Sequence, residues 1–300
     1  MGNPGFAVPA LRTLAQSMHS VECVVTGTDK KRGRGGKKSP SEVKSEANML
    51  GLPVYECDDP SEQELQKLLK TIRPDLLVVV AYKMLPSSVL AIPKIGSVNL
   101  HASLLPKYRG AAPIHHAIMN GEKETGCTVF LLDEGMDTGK IIATSSSEIG
   151  WMETTGDVYH RLMHVGAELL LEAVQALASG TYTLKEQGDG GDTRAPRLRP
   201  EDARIRFDQD GIRVHNHIRA MNPFPGAWTM FMDKKIKLIL SAPAMDIQTL
   251  APGTGRVING KAMVGCNPGS VEILKVRPEG KKEMDGVSFI NGCEGEVVFS

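Results

Sequence analysis

The 300-residue chain predicts a doubly wound α/β domain with a mainly parallel sheet, followed by a small β-barrel or sandwich. Three observations predict this. Short apolar segments alternate with helical stretches up to about residue 183, the pattern of consecutive βα units. Leu76-Leu77-Val78-Val79-Val80-Ala81-Tyr82 is a continuous apolar run, the mark of a central parallel strand buried on both faces. Beyond residue 205 the pattern changes to short strands separated by Gly, Pro and Asn turns, as in small barrels.

Taken in order, Gly2-Asn3-Pro4-Gly5 is turn chemistry, and the residues through Leu14 and Met18 have helical spacing. Such a turn normally follows a strand, and no strand precedes this one in the chain. Residues 21–26 read as a short apolar strand. Residues 29–40, with Gly33-Arg34-Gly35-Gly36-Lys37-Lys38 at their centre, are basic, Gly-rich and free of apolar residues; a mobile exposed loop is expected. Residues 41–50 form a helix closed by Gly51 as its C′ residue. A strand at 52–55 precedes an amphipathic helix at 61–72, whose first turn carries Glu62 and Glu64 where the helix dipole favours them. After the central strand come strands at 97–101 and 126–132 and a long helix at 155–179, with Gly180 behind it. Residues 187–200 are rich in Gly, Asp, Arg and Pro and read as a linker. A helix at 210–220 then precedes strands at 228–232, 236–241, 255–258, 262–265, 270–276 and 294–299. The expected boundaries are 1–183 for the first domain, 184–204 for the linker and 205–300 for the second.

An apolar content of 41% and a charged content of 23% are those of a soluble globular protein. Zero net charge argues against a chain coated in positive charge and leaves room for a local basic patch. Cys23, Cys57, Cys127, Cys266 and Cys293 are scattered without metal-like spacing, so reduced thiols are expected. No run of about 18 apolar residues is evident, so no membrane span is expected. The N-terminus lacks signal-peptide organisation. Together these predict a cytoplasmic protein, in a bacterial cytosol or an organelle matrix.

The stretch from Ser97 to Gly110 carries the chemistry. Asn99 and His101 stand two apart on a strand and share a face. They sit at its C-terminal end, where open α/β sheets bind ligands. An Asn amide can donate to a developing oxyanion, and an imidazole can move a proton near neutral pH. Asp137, between Gly135 and Gly139, supplies a carboxylate to orient His101 or hold a water. Each residue alone is more often structural. The three together, each beside turn chemistry, point to an acyl-type transfer site with no metal and no covalent nucleophile. His115 and His116 are adjacent on a helix and do not converge. His160 and His164 have the i, i+4 spacing of zinc ligands but no evident third partner. Residues 33–37 lack Walker spacing; they are either a solvated loop or a contact for a phosphate backbone. The first turn has no Gly-x-Gly-x-x-Gly, which excludes a dinucleotide dehydrogenase.

The run from Asn99 through Gly110 to Ile114, with Glu124-Thr125-Gly126 and Gly135-Met136-Asp137-Thr138-Gly139, resembles the folate-dependent formyltransferases. Residues 2–11 are similar to the first turn and helix of that family, residues 33–44 to its basic loop, and Val79 to Tyr82 to the strand before its folate site. Arg219 to Trp228 resembles the entry to its C-terminal domain, an element shared with the sugar-nucleotide branch. The likeness covers nearly the whole chain. It implies a Rossmann-like domain that takes 10-formyltetrahydrofolate as co-substrate, and an open barrel similar to an OB-fold that touches tRNA. The implied acceptor is the amino group of methionyl-initiator tRNA, and the implied state a monomer. Asn99 and His101 would polarise the formyl group, and His101 with Asp137 would handle the proton. Folate would lie against Ala81, Tyr82, Lys83, Met84, Leu85, Ser103, Leu104, Leu105, Pro106, Leu131, Asp133 and Gly135. The tRNA would meet Phe6, Arg32, Arg34, Lys37 and Lys38. An amino-sugar nucleotide is the rival acceptor, and a folate- or RNA-binding module without turnover is the rival class.

Two departures stand out. Lys83 occupies a position often held by Gly. Relatives begin with an apolar first strand ahead of the Gly2 turn. Without it, two neighbouring strands would keep unpaired backbone groups in the core, at about 1–3 kcal/mol for each buried group. Met1 is therefore expected to be a mis-assigned start, and the 300-residue chain to be unstable or inactive.

Overall fold

The computed structural model describes residues 1–32, 36–188, 193–244 and 250–300. After a short turn of 3₁₀-helix, the first elements are α1 (Val8–Ala15), β1 (Val24–Thr26), β2 (Lys30–Arg32), β3 (Lys37–Ser39), α2 (Glu42–Met49), β4 (Val54–Glu56), α3 (Gln63–Ile72) and β5 (Leu76–Val80). Then follow α4 (Ser87–Leu90), β6 (Gly96–His101), α5 (Pro113–Met119), β7 (Glu124–Leu131), β8 (Ile141–Glu148) and α6 (Thr155–Ser179). The remainder is α7 (Gly211–Ala220), β9 (Trp228–Phe231), β10 (Lys234–Pro243), β11 (Thr254–Ile258), β12 (Lys261–Gly265), β13 (Ser270–Pro278), β14 (Met284–Asp285), α8 (Gly286–Asn291) and β15 (Val297–Val298). Contacts divide the chain into two compact units. One is Met1–Gly110, Thr125–Ser147 and Tyr159–Arg194; the other is Ala111–Glu124, Glu148–Val158 and Ala195–Ser300.

In the first unit β1 pairs parallel with β4, and β5 parallel with β6. β7 runs antiparallel to β6, and β8 lies beyond it, so the mainly parallel sheet carries an antiparallel strand. β8 escapes the sequence reading because its Thr-Ser-Ser-Ser stretch alternates half-buried and exposed positions and carries little apolar signal. α2 begins where the Ser41 hydroxyl accepts from Lys44 N at 2.9 Å, an N-cap. α6 is long and apolar enough to cross a membrane by length and composition, although charged residues and histidines interrupt it, so it holds no continuous apolar run of about 18. Its Leu162, Ala167, Leu170, Ala173 and Val174 are buried, which accounts for its apolar character.

Residues 29–40, expected as a loop, contain an antiparallel ribbon in which Lys31 faces Lys38 and Arg32 faces Lys37. Ladder bonds join backbone groups and need no apolar side chains. The base of the ribbon is tied down by Lys44, whose ammonium reaches Asp29 and Glu56 at 2.7 Å each. Arg34 lies outside the described residues.

β1 and β5 do not pair with one another. Between them lie Met1 and Gly2. Gly2 N donates to Val25 O at 3.1 Å and Val80 N to Met1 O at 2.9 Å, so Gly2 bridges to Val80 in parallel sense. The Met1 ammonium donates to Val78 O at 2.6 Å, and burial pushes its pKa down to about 6. Beyond Met1 the space between the two strands is a cleft of about 680 Å³, lined by Val24, Leu69, Leu76, Val78, Val174 and Ala178 among others.

The second unit holds an antiparallel sheet in the order β15-β11-β12-β13-β10-β9, with β14 on β13. Met230 and Ser300 exchange backbone hydrogen bonds of 3.0 Å each way, which brings the two ends of the sheet together into a nearly closed barrel. Ile236, Leu238, Val264, Val271 and Ile273 alternate inward and pack with Ile218 and Met221 of the α7 segment. All five cysteines are free thiols.

Candidate active site

The C-terminal ends of β5 and β6 and the loop that follows β7 carry the predicted chemistry. β6 holds Asn99 half-buried and His101 buried. Asn99 stands between Val79 of β5 and Phe130 of β7. Its carboxamide has no side-chain hydrogen bond to a described residue, so its donors are free. His101 Nε2 lies 2.9 Å from Tyr108 O. A carbonyl only accepts, so Nε2 carries the hydrogen, and in the neutral ring Nδ1 holds the lone pair. Nδ1 faces Asp137 Oδ2 at 3.7 Å, too far for a direct hydrogen bond. The neutral histidine thus keeps a lone pair on the side of the Asp137 carboxylate.

Asp137 is held by more than its neighbours in sequence. Gly110 N donates to its Oδ2 at 2.9 Å. The Gln187 amide donates to Asp137 O at 2.9 Å and Gly139 O at 2.7 Å. Gln187 Oε1 in turn accepts from Arg109 Nε at 3.1 Å and Nη2 at 2.7 Å. Ala81, Tyr108 and Asp137 have φ of 49°, 61° and 56°. Non-glycine residues there cost about 1–3 kcal/mol each and cluster where structure serves a site. At Gly139 a Cβ would land on the Leu131 carbonyl oxygen, so only glycine lets the loop close on β7. Gly139→Val is expected to displace Asp137 and abolish activity while leaving the second unit folded, checked by hydrogen exchange.

The other predicted residues fall into two groups. Leu85, Ser103 and Leu105 are buried, and backbone groups of Ser103 and Leu105 are already bonded within the protein. Ser103 Oγ donates to Lys107 O at 2.7 Å, and Thr128 Oγ1 ties Ser103 O at 2.7 Å and Leu105 N at 3.1 Å. Tyr82 OH donates to Cys57 O at 2.8 Å, and burial pushes its pKa up. Asp133 Oδ1 braces its own loop through Gly135 N at 2.9 Å and Thr138 Oγ1 at 2.7 Å. Ala81, Lys83, Met84 and Gly135 are exposed, while Leu104, Pro106 and Leu131 are half-buried. The Lys83 ammonium donates to Asp58 O, which holds this departure from the family pattern outward. Ser87 Oγ donates to Glu134 Oε1 at 2.6 Å, linking the loops after β5 and β7. Phe6 is buried with its ring edge-on to Tyr159, centroids 5.2 Å apart; Lys38 is exposed on the basic ribbon. Among the described residues, no group of three or more His, Cys, Asp or Glu side chains is placed to hold a metal ion.

Residues 1–174 match the formyl transferase family, and residues 197–294 match the formyl transferase C-terminal domain. The chain belongs to the formyl transferase family. A methionyl-tRNA formyltransferase of Pelotomaculum thermopropionicum is 40% identical over 296 residues, 97% of this chain and 94% of that protein. One of Porphyromonas gingivalis is 41% identical over 303 residues, again 97% and 94%. Two solved structures share the fold. The sugar 3N-formyl transferase WlaRD, in the presence of dTDP and 5-N-formyl-THF, has a TM-score of 0.69 at 20% identity, covering 94% of this chain and 97% of its own. An N-formyltransferase of Helicobacter canadensis has 0.68 at 21%, covering 91% and 96%.

Gln187 is the site residue that sequence reasoning missed in this formyltransferase. It lies 50 residues beyond Asp137 in a stretch that reads as linker, and nothing local marks it. Gln187→Ala removes two hydrogen bonds to the Asp137 loop and two to Arg109. We expect kcat to fall about tenfold, equivalent to about 1.4 kcal/mol of barrier, with Gln187→Glu failing to restore it because the amide donor is gone. Steady-state kinetics of the two variants checks this.

Proposed function

We propose that the chain moves the formyl group of 10-formyltetrahydrofolate to the free amino group of methionyl-initiator tRNA, supplying formylmethionyl-tRNA for translation initiation. The observation that carries the reading is the triad at the strand ends: a free Asn99 amide, a His101 base at Nδ1, and Asp137 3.7 Å behind it. It stands in a chain about 40% identical, over nearly its full length, to proteins named for this reaction.

The chemistry is acyl transfer. The methionyl amine attacks the formyl carbon and a new C–N bond forms. Negative charge grows on the formyl oxygen, where the Asn99 NH₂ can donate to it. His101 Nδ1 takes the proton released by the amine, and Asp137 stabilises the imidazolium. Collapse breaks the bond from the formyl carbon to N10 of the folate, and His101 returns the proton to that nitrogen. Backbone from Ala81 to Leu85 and from Leu131 to Asp137 would flank the folate, with the Ser87–Glu134 bond holding the two loops together. The ribbon carrying Lys38 and the neighbouring Arg34 would meet phosphates of the acceptor stem, and Phe6 would border the methionyl side chain. The enzyme would work as a monomer in a cytosol or organelle matrix.

The test is formyl transfer from 10-formyltetrahydrofolate to charged initiator tRNA across a salt series. Formylation with an affinity that falls steeply as salt rises is expected, because phosphate contacts release counterions. Formylation of an amino-sugar nucleotide in preference to the tRNA would overturn the reading.

A further inference from the structure

The second unit holds a cleft of about 770 Å³ remote in sequence from the catalytic residues, between α7, the segment around Gly121 and the segment around Trp151. We propose that this cleft is a binding site for a planar organic anion, with a free nucleoside monophosphate as the fitting class.

The back wall supplies donors without acceptors. Arg219 and Asn216 line the cleft and are 5% and 6% exposed. Arg219 Nε donates to Asn216 Oδ1 at 2.9 Å, and its Nη1 donates to Gly150 O at 3.2 Å and Glu153 O at 3.0 Å. That leaves the Arg219 Nη2 and Asn216 Nδ2 hydrogens without a partner among the described residues. Neither atom is among the buried, unpartnered polar atoms of the molecule, so both donors open onto the cleft, where an acceptor on a ligand can reach them. Gly121, at φ 73°, faces the amide; a Cβ there would come within 2.9 Å of Asn216 Nδ2. Glycine at that point keeps the donor uncovered.

Cations and acids both line the cleft: Lys123, Arg213 and Arg219 beside Glu122, Asp208 and Asp210. Of its acids, Asp208 is paired with Arg206 at 2.8 Å, Asp210 caps α7 by accepting from Ile212 N at 2.8 Å, and Glu122 has a partner. Lys123 and Arg213 line the cleft with no carboxylate partner among the described residues. Trp151, 61% exposed, lines it too and offers an aromatic face for stacking a base. Donors at the back, unpaired cations and an exposed indole together match a phosphate joined to a flat ring.

The experiment is calorimetric titration of the full chain with AMP, with adenosine and inorganic phosphate as its two halves. Saturable one-to-one binding is expected for AMP, and weaker binding for either half. Asn216→Asp keeps the acceptor for Arg219 and replaces the free donor with an anionic oxygen; it should weaken AMP about tenfold or more. Trp151→Ala should weaken it about fivefold or more, with formyl transfer unchanged. No saturable heat with millimolar AMP, or equal affinity in wild type and both variants, would overturn the proposal. Displacement of AMP by uncharged tRNA would also overturn it, since the cleft would then serve the RNA substrate.

Discussion

His101→Ala lowers kcat for formyl transfer by about 10²–10⁴, the range for loss of a positioned acid–base group, with little change in KM for either substrate. The expectation rests on the ring's two separate duties. Nε2 holds the Tyr108 carbonyl at 2.9 Å, and Nδ1 faces Asp137 at 3.7 Å. Alanine removes both, so its loss mixes chemistry with loop support; a buried carbonyl left unpaired costs about 1–3 kcal/mol. His101→Gln separates them. A glutamine amide can place its nitrogen near the position of Nε2 and keep the Tyr108 bond, but it has no base to replace Nδ1. Equal loss of kcat in the Ala and Gln variants, with thermal stability kept by Gln, is the expected result. Recovery by Gln to within about tenfold of wild type, below the usual acid–base contribution, would assign His101 to loop support alone. Asn99→Ala should cost about 10²–10³ in kcat, as for other oxyanion donors. The double variant should lose less than the product of the two, because residues that act as a unit are not additive.

Five apolar β-branched residues added ahead of Met1 raise the melting temperature of the first unit by about 10 °C or more. The reason is the cleft between β1 and β5. Gly2 and Met1 already bond to Val25, Val80 and Val78, which sets a parallel register for any backbone continuing back from Met1. Among the described residues, neither strand has another strand partner on the edge facing this cleft. Each ladder bond contributes about 0.5–1.5 kcal/mol net, and each buried Val or Ile about 1.5–3 kcal/mol. A few of each amount to about 5 kcal/mol, at about 2–4 °C per kcal/mol for a unit of this size. The extension also replaces the buried Met1 ammonium, pushed down to about 6 by its surroundings, with an amide that donates to Val78 O at no cost of burying charge. A Gly-Ser extension of the same length is the control and should leave the melting point where it was. Equal melting points for the apolar and Gly-Ser extensions would show that the cleft does not take a strand.

Much of the fold is legible in the chain. The apolar run at residues 76–82 is β5, and the spacing of residues 155–179 coincides with α6, because each element buries a face whose period is written in its own residues. Asn99 and His101 are legible as a pair for the same local reason: two apart on one strand is one face. Other features were hidden. β8 carries Ser and Thr where a strand signal needs branched or apolar residues. The ribbon at residues 30–39 is held by backbone pairing and by Lys44, neither of which leaves an apolar trace. Gln187 looks like linker because its three partners, Arg109, Asp137 and Gly139, lie in other loops.

By itself the sequence determined most of the elements, the strand that bears Asn99 and His101 and the functional groups those side chains carry. These follow from local periodicity and from functional groups that are fixed by residue type. Only the tertiary structure decided which nitrogen of His101 faces Asp137, that Gln187 holds the Asp137 loop, that β7 runs antiparallel to β6, and that β1 and β5 face a cleft across Gly2. Each of these depends on which backbone groups meet across tens of residues, and a hydrogen bond between distant segments leaves no period in the chain for local reading to find.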